Sequence, residues 1–254
     1  MKRVRFAGAL GAELSGWFHP AAEPSRGALV LAHCFTCGKD LPLYRRLAAG
    51  LADEGLSVLR FDFTGLGQSE GDFSQTSLDS NVAEVQLACR ELRRLVGVSV
   101  RLGAIGHSLG GVATLLAAGE LPELAALAIL AAPADPGALE ARLGPGVRQQ
   151  AEERGAARVE LGGRPVRIGL PLLDSLAVRD LPGRLGGLGR PVLFMHGTVD
   201  EVVSIEQSEL LFAACRQPKG FEPLLGGDHL FSEERTLGFA QTLLRCWFER
   251  HLAV

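Results

Sequence analysis

The sequence lacks long hydrophobic runs and any strong excess of charge. No apolar stretch among its 254 residues approaches the roughly 18 that a membrane-spanning helix needs. The formal net charge of −3 favours neither nucleic acid nor an anionic membrane as a partner. The basic start is not followed by the apolar segment of a secretory signal. We therefore expect a cytoplasmic protein that binds neither nucleic acid nor membranes.

Cysteine is also scarce, with five residues in the chain. Cys34 and Cys37 form a C-x-x-C pair, but the sequence has no second such pair, so a zinc site would lack half of its ligands. An odd number without export signals predicts reduced thiols, and we expect the pair to be incidental. A redox role is the alternative. In that case a disulfide formed between Cys34 and Cys37 under peroxide would distort the loop that contains them and lower the activity of the protein.

Nucleotide-binding loops are missing as well. Residues 64–73 are rich in glycine, but they lack the G-K-[ST] ending of a P-loop and the G-x-G-x-x-G spacing of a dinucleotide turn. We expect Asp62, Gly65, Gly67 and Ser69 to shape a turn there. Neither a metal nor an organic cofactor is predicted.

The chain does contain a regular alternation of strands and helices. Short apolar runs at residues 27–33, 57–63, 100–106, 124–132 and 191–196 are typical of strands buried on both faces. Amphipathic patterns between them, at residues 41–54, 77–96 and 109–120, predict helices. This alternation predicts a single α/β domain with a mostly parallel sheet.

The alternation stops between residues 133 and 189, where prolines and glycines are frequent. The segment VELGGRPVRI at residues 159–168 predicts a hairpin with a Gly-Gly turn, and residues 170–181 predict a short helix. We interpret residues 133–189 as a cap insertion over the carboxyl edge of the sheet. Its apolar side chains predict a pocket for a small or medium apolar group: Leu170, Leu172, Leu173, Leu176 and Val178.

The central motif is Gly106-His107-Ser108-Leu109-Gly110, a G-x-S-x-G pattern between a predicted strand and a predicted helix. Such a turn lifts a serine into an exposed, strained conformation, and the flanking glycines avoid collisions. An ordinary helix cap is the alternative interpretation of Ser108.

A nucleophilic serine needs a base, an acid that orients the base, and donors for the oxyanion. Asp200 follows the predicted strand at residues 191–196, and His229 follows another predicted strand at residues 221–225, in the order serine, acid, histidine. The parallel strands would bring both loops to the edge that carries Ser108. The Leu109 N–H is one predicted oxyanion donor, and the Phe35 N–H after the strand at residues 27–33 is the second.

The chain resembles the α/β-hydrolase superfamily in five motifs that follow in this order: AHCFTC-KD, LRFDFTGLGQSEGDF, IGHSLGG, HGTVDEVV and GGDHLF. More narrowly, the chain is similar to the α/β-hydrolases that are associated with or fused to OsmC-type domains. The resemblance implies an eight-stranded sheet with helices on both faces, a serine hydrolase triad and no cofactor. Because the chain ends at Val254, we expect no OsmC-like domain here. Cys34 departs from the superfamily, which usually has glycine after the oxyanion-loop histidine.

Some neighbouring residues offer alternatives to this assignment. Glu201 and Asp228 are acidic neighbours of the predicted triad, but Asp228 adjoins the histidine too closely to orient it. We expect structural roles for His33, His107 and His196. The leading interpretation is a serine hydrolase, carboxylesterase-like, that acts on a small acyl substrate. A non-hydrolytic binding protein on the same fold is the first alternative, and a thiol-redox protein is the second. Monomer and homodimer both stay open.

Overall fold

The predicted strands assemble into one large sheet. The structure is a computed structural model that describes residues 1–22, 25–161, 163–177 and 180–252. Its strands, in chain order, are β1 (Lys2–Ala7), β2 (Glu13–His19), β3 (Gly27–Ala32), β4 (Leu56–Phe61), β5 (Leu102–His107), β6 (Leu124–Leu130), β7 (Ala157–Leu161), β8 (Arg164–Ile168), β9 (Val192–Gly197) and β10 (Lys219–Leu224). Eight of them form a sheet in the order β1-β2-β4-β3-β5-β6-β9-β10.

Within this eight-stranded sheet only the pairs β1–β2 and β2–β4 are antiparallel, so β2 is its one reversed strand. The helices are α1 (Pro42–Asp53), α2 (Leu78–Val96), α3 (Leu109–Glu120), α4 (Ala138–Arg142), α5 (Val147–Arg154), α6 (Leu170–Leu176), α7 (Leu181–Leu185), α8 (Ile205–Ala214) and α9 (Glu234–Leu252). A 3₁₀ turn spans Phe73–Gln75. The mostly parallel α/β architecture is therefore confirmed.

Side chains of the central strands alternate between two cores. In β3, Ala28 and Val30 belong to the core beneath α2, α3 and α8. Leu29 and Leu31 belong to the core beneath α1 and α9. Successive residues of a strand point to opposite faces, so continuous apolar runs are what a sheet covered on both sides requires. Within the described ranges, no helix is long and apolar enough to cross a membrane.

The connection between β6 and β9 contains α4 to α7 and the antiparallel hairpin β7–β8, which forms a sheet of its own. The sequence pattern predicted the hairpin but neither α4 nor α5, because both are short and half-exposed. The helix predicted at residues 170–181 is shorter, since α6 ends at Leu176. The boundaries of the cap at residues 133–189 stay a prediction.

Candidate active site

Ser108 lies at the sharp turn between β5 and α3. Its backbone has φ 54° and ψ −124°, a left-handed conformation that costs free energy for a residue with a Cβ. The flanking glycines are needed: a Cβ on Gly106 would lie 2.5 Å from Thr114 Oγ1, and one on Gly110 would lie 2.2 Å from the His33 carbonyl oxygen. The turn therefore packs directly against the loop that follows β3.

Asp200 and His229 meet at the same edge of the sheet. Their side chains are joined at 2.7 Å between His229 Nδ1 and Asp200 Oδ2. The other carboxylate oxygen, Oδ1, accepts the backbone N–H groups of Val202 at 2.8 Å and Val203 at 2.9 Å. Because Nδ1 faces the carboxylate, His229 Nε2 is the nitrogen left for another partner. This geometry is the one that a base and its orienting acid require.

A second histidine shares the same carboxylate. His196 Nε2 lies 3.1 Å from Asp200 Oδ2 and 2.8 Å from the Val203 carbonyl oxygen. Burial would by itself raise the pKa of Asp200, but hydrogen bonds from His196 and His229 outweigh it and hold this pKa well below its usual range. Asp200 is therefore ionised at neutral pH, which is the state that can stabilise an imidazolium.

The two acidic alternatives to Asp200, which are Asp228 and Glu201, lie in other surroundings. Asp228 Oδ1 accepts the backbone N–H of Ser232 at 2.8 Å, and the Glu201 side chain is exposed. Ser108 and His229 line the same cavity. No hydrogen bond joins their side chains among the described residues, and such contacts commonly tighten only when a substrate is bound. The catalytic roles of the three residues stay a prediction.

The loop after β3 orients the Phe35 N–H. The Cys34 carbonyl accepts hydrogen bonds from His33 Nδ1 at 2.8 Å and from the Cys37 N–H at 3.2 Å. Since His33 Nε2 accepts the Phe63 N–H at 3.2 Å, the proton of this neutral ring must sit on Nδ1. A trans peptide points its N–H away from its C=O, so fixing the Cys34 carbonyl also fixes the direction of the Phe35 N–H.

Neither predicted oxyanion donor is used inside the protein. Within the described part of the chain, no group accepts a hydrogen bond from the backbone N–H of Phe35 or Leu109. Both residues line the cavity that also contains Ser108. Two unpaired N–H groups beside a candidate nucleophile are the arrangement that oxyanion stabilisation requires, and their role stays a prediction.

The expectation of reduced thiols is wrong for Cys34 and Cys37, which form a disulfide. The turn that places the Cys37 N–H on the Cys34 carbonyl also brings their Cα atoms to 5.4 Å, within the range that a disulfide spans. The remaining cysteines are free, with Cys89 and Cys215 buried and Cys246 exposed. The disulfide closes the loop that carries the Phe35 N–H, so the pair is part of the candidate site.

A buried ion pair anchors the same loop further on. Lys39 and Asp62 are both 1% exposed, and Lys39 Nζ lies 2.7 Å from Asp62 Oδ2. Asp62 Oδ1 also accepts the Lys39 backbone N–H at 2.6 Å, and Gln68 N–H donates to Oδ2 at 2.9 Å. Asp62 thus does more than shape the expected turn. The sequence motifs include Lys39 but did not predict its pairing with Asp62, because the two residues are far apart in the chain.

A cavity of about 570 Å³ opens above Ser108. Its apolar lining from the segment between β6 and β9 consists of Pro133, Pro136, Ala138, Leu139, Leu143 and Leu161. The leucines predicted for this role are placed differently: Leu172, Leu173 and Leu176 are buried in the core, and Leu170 packs against it. Val178 lies outside the described residues. The prediction failed because α6 packs against α2, α5 and the 3₁₀ turn, and its leucines do not line the cavity.

Known proteins share this architecture. The profile of the Hydrolase_4 family, described as serine aminopeptidase S33, matches residues 23–151. The esterase domain of a Rhodothermus marinus protein is 34% identical, with 99% of both chains covered and a TM-score of 0.79. The uncharacterized protein Rv2307c of Mycobacterium tuberculosis is 31% identical over 221 residues, 86% of this chain and 69% of that protein.

A more distant structure carries a ligand. Est1E from Butyrivibrio proteoclasticus, solved with ferulic acid bound, is 19% identical over 98% of both chains with a TM-score of 0.77. At that identity the likeness shows the fold alone. Together these structures confirm the α/β-hydrolase fold class.

Proposed function

We propose that this chain, which belongs to the Hydrolase_4 family of serine aminopeptidase S33, is a serine hydrolase that cleaves a carboxylic ester or related acyl bond. One observation carries the proposal. The strained Ser108, the Asp200–His229 pair and two unpaired backbone N–H groups meet at one cavity. A binding protein would have no need for an ionised carboxylate held against a histidine beside a strained serine that lines the cavity.

In the proposed mechanism each group has one step. Ser108 Oγ attacks the acyl carbonyl while His229 Nε2 takes its proton, and Asp200 stabilises the imidazolium that forms. The Phe35 and Leu109 N–H groups hold the negative oxygen of the tetrahedral intermediate. His229 then protonates the leaving group, which departs and leaves an acyl-enzyme. Water, activated by His229 in turn, releases the acid and restores Ser108.

The cavity lining favours an ester over an amino-terminal peptide bond. A protonated amino terminus binds best to a carboxylate that no cation competes for, and the cavity lining offers the exposed Asp135 together with the cation Arg142. The rest of the cap lining is apolar. The esterase name of the Rhodothermus marinus relative supports the same choice. We expect an acyl group of small to medium size, bound by Leu139, Leu143 and Leu161.

Three narrower statements belong to this proposal. Residues 133–189 act as the cap of a single hydrolase domain. The protein works in the cytoplasm, although Cys34 and Cys37 no longer support a reducing compartment. The likeness to hydrolases associated with OsmC-type domains is a prediction from the sequence motifs.

A fluorophosphonate probe tests the proposal directly, because it reacts covalently with an activated serine. We expect the wild type to be labelled at Ser108, the Ser108→Ala variant to be unlabelled, and a Cys34→Ala/Cys37→Ala variant to retain labelling. Hydrolysis of p-nitrophenyl esters should disappear in the serine variant alone. Folded wild-type protein that neither reacts with the probe nor hydrolyses esters would refute the proposal.

Parallel assays separate the competing functions. Cleavage of aminoacyl p-nitroanilides with esters left intact would favour the aminopeptidase of the family description. Loss of labelling only in the cysteine variant would favour chemistry centred on the disulfide.

A further inference from the structure

A chain of buried hydrogen bonds connects the oxyanion loop to the base. Tyr44 at the start of α1 and His107, the residue before Ser108, are both fully buried. The Cys34 N–H donates to the Tyr44 hydroxyl at 2.9 Å, and this hydroxyl lies 2.7 Å from His107 Nδ1. His107 Nε2 lies 2.8 Å from the backbone carbonyl oxygen of His229. We call this chain of Cys34, Tyr44, His107 and His229 the relay.

The protons of the relay have only one arrangement. A carbonyl oxygen can only accept, so His107 Nε2 carries the proton that bonds to His229. Burial and, to a smaller extent, the nearby His229 lower the pKa of His107 to about 3, so its ring is neutral and Nδ1 must accept. The Tyr44 hydroxyl therefore donates to His107 while it accepts from Cys34. Burial raises the pKa of Tyr44, so it keeps that proton.

We infer that Tyr44 and His107 are positioning residues that fix the Phe35 N–H relative to His229. The inference rests on the proposed function. The relay holds the N–H side of Cys34, while His33 and Cys37 hold its carbonyl side, so both peptide units that precede Phe35 Cα are fixed. At the other end of the relay, His107 Nε2 bonds to the backbone carbonyl of His229, the proposed base. His107 is also the residue before Ser108, the proposed nucleophile. One rigid connection thus sets the spacing of all three functional groups.

The expected effect appears in the transition state and not in substrate binding. Tyr44→Phe keeps the ring but leaves the Cys34 N–H without its acceptor and His107 Nδ1 without its donor. A small displacement of a catalytic group costs on the order of 10- to 100-fold in rate, so we expect kcat to fall by that factor while KM stays within about twofold. The affinity for a boronic acid that forms a tetrahedral serine adduct should fall by the same factor.

Substitutions of His107 separate the two halves of the relay. Gln places a donor near the position of Nε2, so His107→Gln retains the bond to His229 and loses the one to Tyr44. Asn places an acceptor near the position of Nδ1, so His107→Asn does the opposite. If the relay works as one unit, Tyr44→Phe combined with His107→Gln should cost about as much as the worse single variant, not the product of both.

Ser57→Ala is the matched control. Ser57 is buried and accepts the Ala21 backbone N–H at 2.9 Å, far along β4 from the candidate site. Its substitution also removes an acceptor from a backbone N–H, and we expect a lower Tm with unchanged kcat, KM and boronate affinity. Should Tyr44→Phe fail to fold, His107→Gln provides the same measurement.

The outcomes are distinct. A wild type labelled at Ser108 with a folded Tyr44→Phe variant of unchanged kcat and boronate affinity would overturn the relay alone. An equal rise in KM and in the dissociation constant of the boronic acid, with kcat unchanged, would also overturn the relay. That pattern indicates a general loss of binding. A wild type that the fluorophosphonate does not label would overturn the proposed function and this inference with it.

Discussion

The cavity has a floor and a roof that are built by different means. The floor consists of the loops that carry Phe35, Ser108 and His229, and the roof is the described part of the proposed cap at residues 133–189. The floor is anchored by buried polar side chains that bond to one another, as in the Lys39–Asp62 pair. The roof instead has short helices and exposed ion pairs, such as Arg148 with Glu140 at 2.7 Å.

This difference separates chemistry from selectivity. A buried polar network has few alternative arrangements, because each lost partner leaves an unsatisfied group in a low dielectric. An apolar roof on exposed short helices tolerates changes of shape, because its contacts are not directional. The floor should therefore determine whether the bond is cleaved, and the roof should determine which acyl group fits.

The largest expected effect is the loss of the acid in the floor. In Asp200→Asn the amide oxygen can keep the Val202 and Val203 N–H bonds, while its NH₂ group faces His229 Nδ1 and favours the wrong tautomer. We expect kcat to fall on the order of 10⁴-fold with little change in stability. Steady-state kinetics with a p-nitrophenyl ester measure the loss in kcat, and a thermal melt measures the change in stability. A loss below tenfold would contradict the assignment of Asp200.

Next in size is the stability of the floor compared with that of the roof. Lys39→Met leaves the buried Asp62 carboxylate without its cation, which should cost about 3–5 kcal/mol of unfolding free energy. The added change Asp62→Asn should recover part of this. Arg148→Met removes two ion pairs from a side chain that is 37% exposed, and should cost less than about 1 kcal/mol. Urea titrations measure the unfolding free energy of these three variants. If Lys39→Met and Arg148→Met lower it equally, the floor and the roof do not differ in the way described.

The roof should show its effect in acyl selectivity. Leu143→Trp adds bulk to the cavity, so we expect kcat/KM for a hexanoyl ester to fall by about 10-fold or more while an acetyl ester changes little. Leu210→Trp is the control, since Leu210 is exposed outside this cavity. A uniform loss for both esters in Leu143→Trp would place this residue among the groups that govern the chemistry.

The last comparison is the response of stability to acid, which is measured as a slope against pH. The pKa of His107 lies at about 3 when folded, mainly because of burial, compared with 6.5 when unfolded. Between these values the unfolded chain binds the extra proton, so stability falls as pH decreases from 6.5 toward 3. His107 contributes about 1.4 kcal/mol per pH unit in this window. The pH slope of the unfolding free energy should therefore be shallower in His107→Asn, and an unchanged slope would contradict a buried neutral ring.

Local sequence patterns sufficed for the framework of the floor. The helix predicted at residues 109–120 matches α3, and the predicted strands place Ser108, Asp200 and His229 after β5, β9 and β10. Such elements follow from patterns a few residues long, namely continuous apolar runs and glycines at a strained turn. Parallel strands then bring their carboxyl ends to one edge whatever the details of packing.

The sequence by itself therefore determined the fold class and the order of the candidate catalytic groups. Only the tertiary structure decided the partners of Tyr44, Lys39 and Cys34, and which leucines of the roof face the cavity. A C-x-x-C pair suits free thiols as well as a disulfide, until the fold of the loop sets the distance between the two Cα atoms. The physical reason is range: periodicity and turn chemistry act between near neighbours, whereas buried hydrogen bonds and ion pairs join segments that meet only when the sheet is complete.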